Sequence, residues 1–152
     1  METNMIPWIQ AFENGGFVCA LAFAAIGSAF GTSAAGMAAI GAWKRCYINE
    51  EKPPFILIAF VSAPLSQTIY GMILMNAILG ASVEVVPMVK LFCGVFGGIA
   101  MGASAWQQGR AGAMASDAMA ETKKGLGNYI MVLGIIETVA LFVMVFLMTA
   151  LR

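Results

Sequence analysis

The stretch IMVLGIIETVALFVMVFLMTAL, residues 130–151, is a long apolar run broken near its middle by one carboxylate, Glu137. No Lys or Arg stands within the run, and the chain has no His. As a helix, such a run crosses a hydrocarbon core of about 30 Å, which takes about 20 residues. In a helix over 125–151, at about 1.5 Å per residue, Glu137 sits roughly 18–21 Å from either end, near the midplane. An ionised carboxylate there costs several kcal/mol, so a proton or a bound cation must neutralise it. A protonated Glu serving only as an interhelical hydrogen-bond donor is the plainer alternative. Asn, Gln or Ser would do that job at lower cost.

The rest of the chain has the same character. Of its 152 residues, 61% are hydrophobic and 11% charged, against about a quarter charged in a soluble domain. Charge-free windows run over 14–43, 53–83, 91–109 and, Glu137 apart, 125–151. They predict an all-α membrane protein with four transmembrane helices, and none alternates with the period 2 of a barrel strand. The helices form two tandem hairpins. The first, 1–83, has spans at about 14–43 and 53–83; the second, 84–152, has spans at about 91–112 and 125–151.

The net charge of zero points away from nucleic acid. METNMIPWIQAFENGG lacks the basic start of a cleaved signal, so the first helix is expected to stay in the mature protein. Cys19, Cys46 and Cys93 have neither metal-motif nor disulfide spacing and read as packing residues. Lys44, Arg45, Lys52, Arg110, Lys123 and Lys124 flank the first and third connections, against Lys90 and Arg152 on the other side. The positive-inside rule puts those two connections in the cytoplasm and both termini outside.

The halves look like copies at an offset of 73. IGSAFGTSAAG (26–36) aligns with IAMGASAWQQG (99–109), and 57–75 with 130–148. One constant offset supports tandem duplication of a hairpin. Helices one and three are rich in Gly and Ala at spacings of three and four, which lets backbones approach closely in lipid. Helices two and four carry the bulky side chains of an outer layer. Glu137 aligns with Pro64, so the first copy has a helix breaker where the second has an acid. Pro64 cannot donate to the carbonyl of Phe60. Around it Ala63, Ser66, Gln67 and Tyr70 lie on one helix face, at i, i+3, i+4 and i+7.

GGF entering helix one, PLSQTIYG in helix two, GIAMG in helix three and ETVAL in helix four together resemble the proteolipid, or rotor-ring, subunit of the V-type rotary ATPases. The resemblance is to the duplicated four-helix bacterial form and covers nearly the whole chain. It implies a homo-oligomeric ring in the cell membrane, turned by a soluble head that carries out the ATP chemistry, with no cofactor in this subunit. It implies that Glu137 carries the ion and that Tyr70 hydrogen-bonds it. In sodium-pumping members the ion is held by a backbone oxygen at the position of Ala63, by Ser66, Gln67 and Glu137, and by a Gln from helix three. GIAMG places Met101 where that Gln is expected, and a thioether is a poor ligand for a hard cation. Gln107 and Gln108 lie about two turns further on. A proton is therefore the expected cargo, with Na⁺ as the alternative. The expected partners are further copies of the chain, lipid, a stator subunit supplying an Arg, and central-stalk subunits at loops 43–53 and 110–125. The rival class is a small proton-coupled secondary transporter, which would predict a dimer and an acid in the first helix.

Overall fold

The computed structural model describes residues 7–152; residues 1–6, with Glu2, and the side chain of Glu13 lie outside the described part. The chain is helical, with no strand among the described residues. Helix α1 spans Pro7–Ile48, α2 Leu57–Ser62, α3 Ser66–Leu79, α4 Pro87–Thr122 and α5 Leu126–Thr149. Proline marks these boundaries. No proline follows Pro7 until Pro53, so α1 runs unbroken. Pro64 converts one turn, Ala63–Leu65, to a 3-10 helix between α2 and α3. Pro87 opens α4 at a position where a missing N–H costs nothing. Four stretches are long and apolar enough to cross a membrane: Gly15–Ile48, Leu57–Leu79, Pro87–Thr122 and Leu126–Thr149.

Two connections differ from the sequence expectation. Residues 43–48 and 110–122, expected in loops, are helical. Charge marks where a helix leaves lipid, and does not end it. Ala, Met and Glu in AGAMASDAMAET favour helix, which stops only where Lys123 and Gly125 take left-handed backbone conformations (φ 56° and 88°). The charges there pair with one another. Arg45 bonds Asp117 at 2.6 Å and Glu121 at 3.0 Å, and Lys123 bonds Glu51 at 2.9 Å. The hydrogen bond to the Glu51 carboxylate raises Lys123 above its ordinary value. Exposed pairs of this kind add little stability, but they tie the first connection to the end of α4.

Helices α1 and α4 share the most extensive interface and run parallel; α3 runs antiparallel to α1. The α1–α4 contact depends on missing side chains. A Cβ on Gly27 would overlap the backbone of Gly102, and one on Gly109 the backbone of Gly31. Two apolar clusters stack along the bundle. One, toward the chain termini, gathers Ala20, Ala24, Leu74, Met101, Ala140 and Met144. The other, toward the first and third connections, gathers Ala39, Cys46, Leu57, Phe60 and Leu133. Between them lies a polar layer.

Candidate functional site: a carboxylate held by three helices

The polar layer comes from the 3-10 turn with the first turn of α3, the middle of α4 and the middle of α5. By breaking the helix, Pro64 leaves the Ala63 carbonyl accepting from both the N–H and the hydroxyl of Ser66, the latter at 3.0 Å. The Ser66 hydroxyl also lies 3.2 Å from Gln67 Oε1. Gln67 is fully buried and donates from Nε2 to Gln108 Oε1 at 2.8 Å. Gln108, also fully buried, donates from Nε2 to Leu133 O at 3.1 Å and to Glu137 Oε2 at 3.2 Å. The Tyr70 hydroxyl donates to Glu137 Oε1 at 2.7 Å.

Both oxygens of Glu137 thus accept a hydrogen bond, one from α3 and one from α4. Unlike Gln67 and Gln108, Glu137 is only partly buried in the single chain. Ile135 and Val139, on either side of it in sequence, are 63% and 55% exposed. The carboxylate therefore sits at the edge of an apolar outer surface with its polar partners behind it. Such a group can be closed off from lipid by its own network and still be reached from outside.

The structure brings Ser66, Gln67, Tyr70, Glu137 and the Ala63 carbonyl into one network. It corrects the reading of α4. Met101, expected opposite the carboxylate, is fully buried in the apolar cluster with Leu74 and Ala140. Gln108, expected to lie two turns too far away, is the α4 side chain that meets both Gln67 and Glu137. The cause is the length of α4. Taking Arg110 as the start of a loop puts Gln108 at the membrane edge, whereas a helix continuing to Thr122 puts it near the middle. The helix-favouring run after Arg110 is the signal for this in the sequence. Ser104 is a further site residue that the sequence does not single out. Its hydroxyl donates to Ile136 O at 2.8 Å, and with the Gln108–Leu133 bond it fixes the register of α4 on α5.

The amide and carboxylate oxygens here suit a hard cation, and the same groups can also surround a protonated carboxyl. Residues 91–150 match the family of ATP synthase C subunits. No curated protein matches the chain. The second hairpin is thus similar to that family, and this match together with the four apolar helices fits a duplicated proteolipid.

Proposed function

We propose, taking the similarity of the second hairpin to ATP synthase C subunits as premise, that the protein is the rotor-ring subunit of a V-type rotary ATPase and carries Na⁺ on Glu137. The V-type form is supported by Pro64 at the repeat position of Glu137, which leaves one ion-binding carboxylate for four helices. The observation that carries the site is the convergence of Tyr70 and Gln108 on the two oxygens of Glu137. Sodium is favoured because Gln108 supplies the α4 amide that Met101 could not. Glu137, Gln67 Oε1, Gln108 Oε1, Ser66 Oγ and the Ala63 carbonyl then form an all-oxygen set.

In this reading Glu137 keeps its ion while facing lipid, where a bare carboxylate is costly. At the stator, an Arg of another subunit favours the ionised form and releases the ion into an aqueous half-channel. A fresh ion loads from the other half-channel, and the ring advances by one copy. Six of the eight basic residues flank the first and third connections, which supports a cytoplasmic side there, both termini outside, and a bacterial cell membrane as location. The same side, with its paired Arg45 and Lys123, meets the central stalk. Such a ring, with few carboxylates per helix, suits a pump.

Carbodiimide modification tests this. The reagent needs a protonated carboxyl in an apolar setting, so Glu137 should be the labelled acid. Added Na⁺ at constant pH and ionic strength should protect it, because the bound cation displaces the proton. Labelling that falls with rising pH and ignores millimolar Na⁺ would return the assignment to a proton. ATP-driven transport surviving Glu137→Gln would remove the rotor reading altogether.

A further inference from the structure

On α4, Ser104 and Gln108 face α5. Trp106 and Arg110, each two positions further on, therefore point to the opposite side of the helix. That side carries an apolar groove of about 400 Å³ between α1 and α4, lined by Phe23, Ile26 and Phe30 on one helix and Ile99 and Trp106 on the other. Phe30 and Trp106 meet across it with ring centroids 6.4 Å apart. Arg110 follows Trp106 by one turn on the same stripe and is exposed. With Gln107 it borders the next hollow along, beside Ala34 and Met114. Arg110 Nη1 donates to Gln107 Oε1 at 3.2 Å. The amide oxygen thus steers the guanidinium, and the Gln107 NH₂ is a further donor beside it.

This arginine lies at hydrocarbon depth. Ser104 meets Ile136 O and Gln108 meets Leu133 O, so Arg110 is level with the turn of α5 just before Leu133. Its backbone is roughly 9 Å from the level of Glu137 and roughly 18 Å short of the end of α4 at Thr122. A charge at that depth is costly unless it is paired. Among the described residues its own chain offers no acid for it. Asp117 and Glu121 bond Arg45, Glu51 bonds Lys123, and Glu137 is held on the α5 side of α4. Glu50 and Glu84 lie beyond the spans. A second copy in the same orientation has the same acids at the same depths, so it brings none to this level. A lipid phosphate does match: it takes the planar fork of an arginine bidentately, and basic pockets between transmembrane helices recognise anionic headgroups. We propose that Arg110 and Gln107 hold the phosphate of an anionic phospholipid whose acyl chains lie in the groove of Phe23, Ile26, Phe30, Ile99 and Trp106. The groove lies on the side of Arg110 away from Thr122, so the chains run from the headgroup toward the membrane centre, as they do in a leaflet. The absence of a neighbouring acid among the described residues selects an anionic lipid, because a choline head would find no counter-charge. The inference stands whichever ion Glu137 carries, since the two sites lie on opposite sides of α4.

Trp106 serves as the reporter in the test. The full-length chain, with Trp8 and Trp43 replaced by Phe, is reconstituted in mixed phosphatidylglycerol and phosphatidylcholine vesicles. One lipid at a time carries brominated acyl chains, which quench tryptophan on contact. Brominated phosphatidylglycerol should quench Trp106 with about fivefold higher apparent affinity than brominated phosphatidylcholine, the effect of one basic side chain on an anionic head. Arg110→Gln should abolish that preference while both lipids still quench. Arg110→Lys, which keeps the charge, should retain most of it. Equal quenching by the two lipids overturns the proposal, and that comparison needs no variant at Arg110, so it decides even where Arg110→Gln assembles poorly. A preference that survives Arg110→Gln overturns it too. Quenching by neither lipid would show the groove covered by protein, a second copy included, and overturns it as well. Millimolar inorganic phosphate should leave the preference unchanged; its loss would assign the site to a free anion and not to a lipid head.

Discussion

At the scale of single residues, Met101 and Gln108 make a paired prediction. Both are fully buried on α4, two turns apart on one face. Only Gln108 touches the carboxylate, at 3.2 Å. Gln108→Leu removes one donor to Glu137, strands the Gln67 amide and, in the sodium reading proposed above, takes one oxygen from the ion's shell. Sodium protection of Glu137 should weaken by at least tenfold, since a buried donor left unpaired costs about 1–3 kcal/mol. Met101→Gln does the reverse of what GIAMG in helix three suggests in sequence. It places an amide among Leu74, Ala140 and Met144, so it should destabilise the subunit by about 1–3 kcal/mol and leave the sodium midpoint alone. Protection that improves in Met101→Gln would place that side chain at the ion after all. Ser66, Gln67, Tyr70 and Glu137 were legible in the sequence because an acid and a polar helix face stand out against apolar runs. The choice between Met101 and Gln108 was not, because depth along α4 depends on where that helix ends and how it registers on α5.

At the scale of elements, the charge-free windows locate the spans, yet α1 and α4 run past them to Ile48 and Thr122. Hydropathy reads the lipid boundary, and only caps and left-handed residues read the helix end. The abundance of Gly in helices one and three did announce close contact, and individual glycines differ in what they permit. At Gly31 a Cβ would press into the carbonyl of Ala105 and meet Pro64 at 2.9 Å, while at Gly41 nothing lies within 4 Å. Gly31→Val should therefore push α1 off α4 and disturb the 3-10 turn that presents Ser66 and Gln67. Overpacking of this sort costs about 1–3 kcal/mol, and it should lower both thermal stability and Glu137 labelling. Gly41→Ala should leave both unchanged in the isolated subunit, read by thermal melting and labelling on the same preparation. Equal damage from the two would mean that glycine content, and not the α1–α4 contact, is what the helices require.

At the scale of the whole molecule, the four spans are unequally served by their own chain. Half of the most apolar window of α4 is buried, 50%, against 17% for α5. The helix that carries Glu137 is thus the one least covered by its own chain. Phe142 and Phe146 stack on its surface with centroids 6.0 Å apart, and both are exposed. In the rotor reading proposed above, lipid and neighbouring copies cover that face, and a carboxylate presented there serves a stator as the ring moves past. A small secondary transporter would close its acid into a pocket between two subunits. Electrophoresis after mild-detergent extraction separates the two, because a closed ring of many copies runs far above a dimer and resists SDS. We expect the large SDS-resistant species, and we expect it to persist in Glu137→Gln, since the amide keeps the shape of the side chain and still offers a partner to Tyr70. A species no larger than a dimer, in the unsubstituted protein and at every detergent concentration, would leave Glu137 without the cyclic path that a rotor requires.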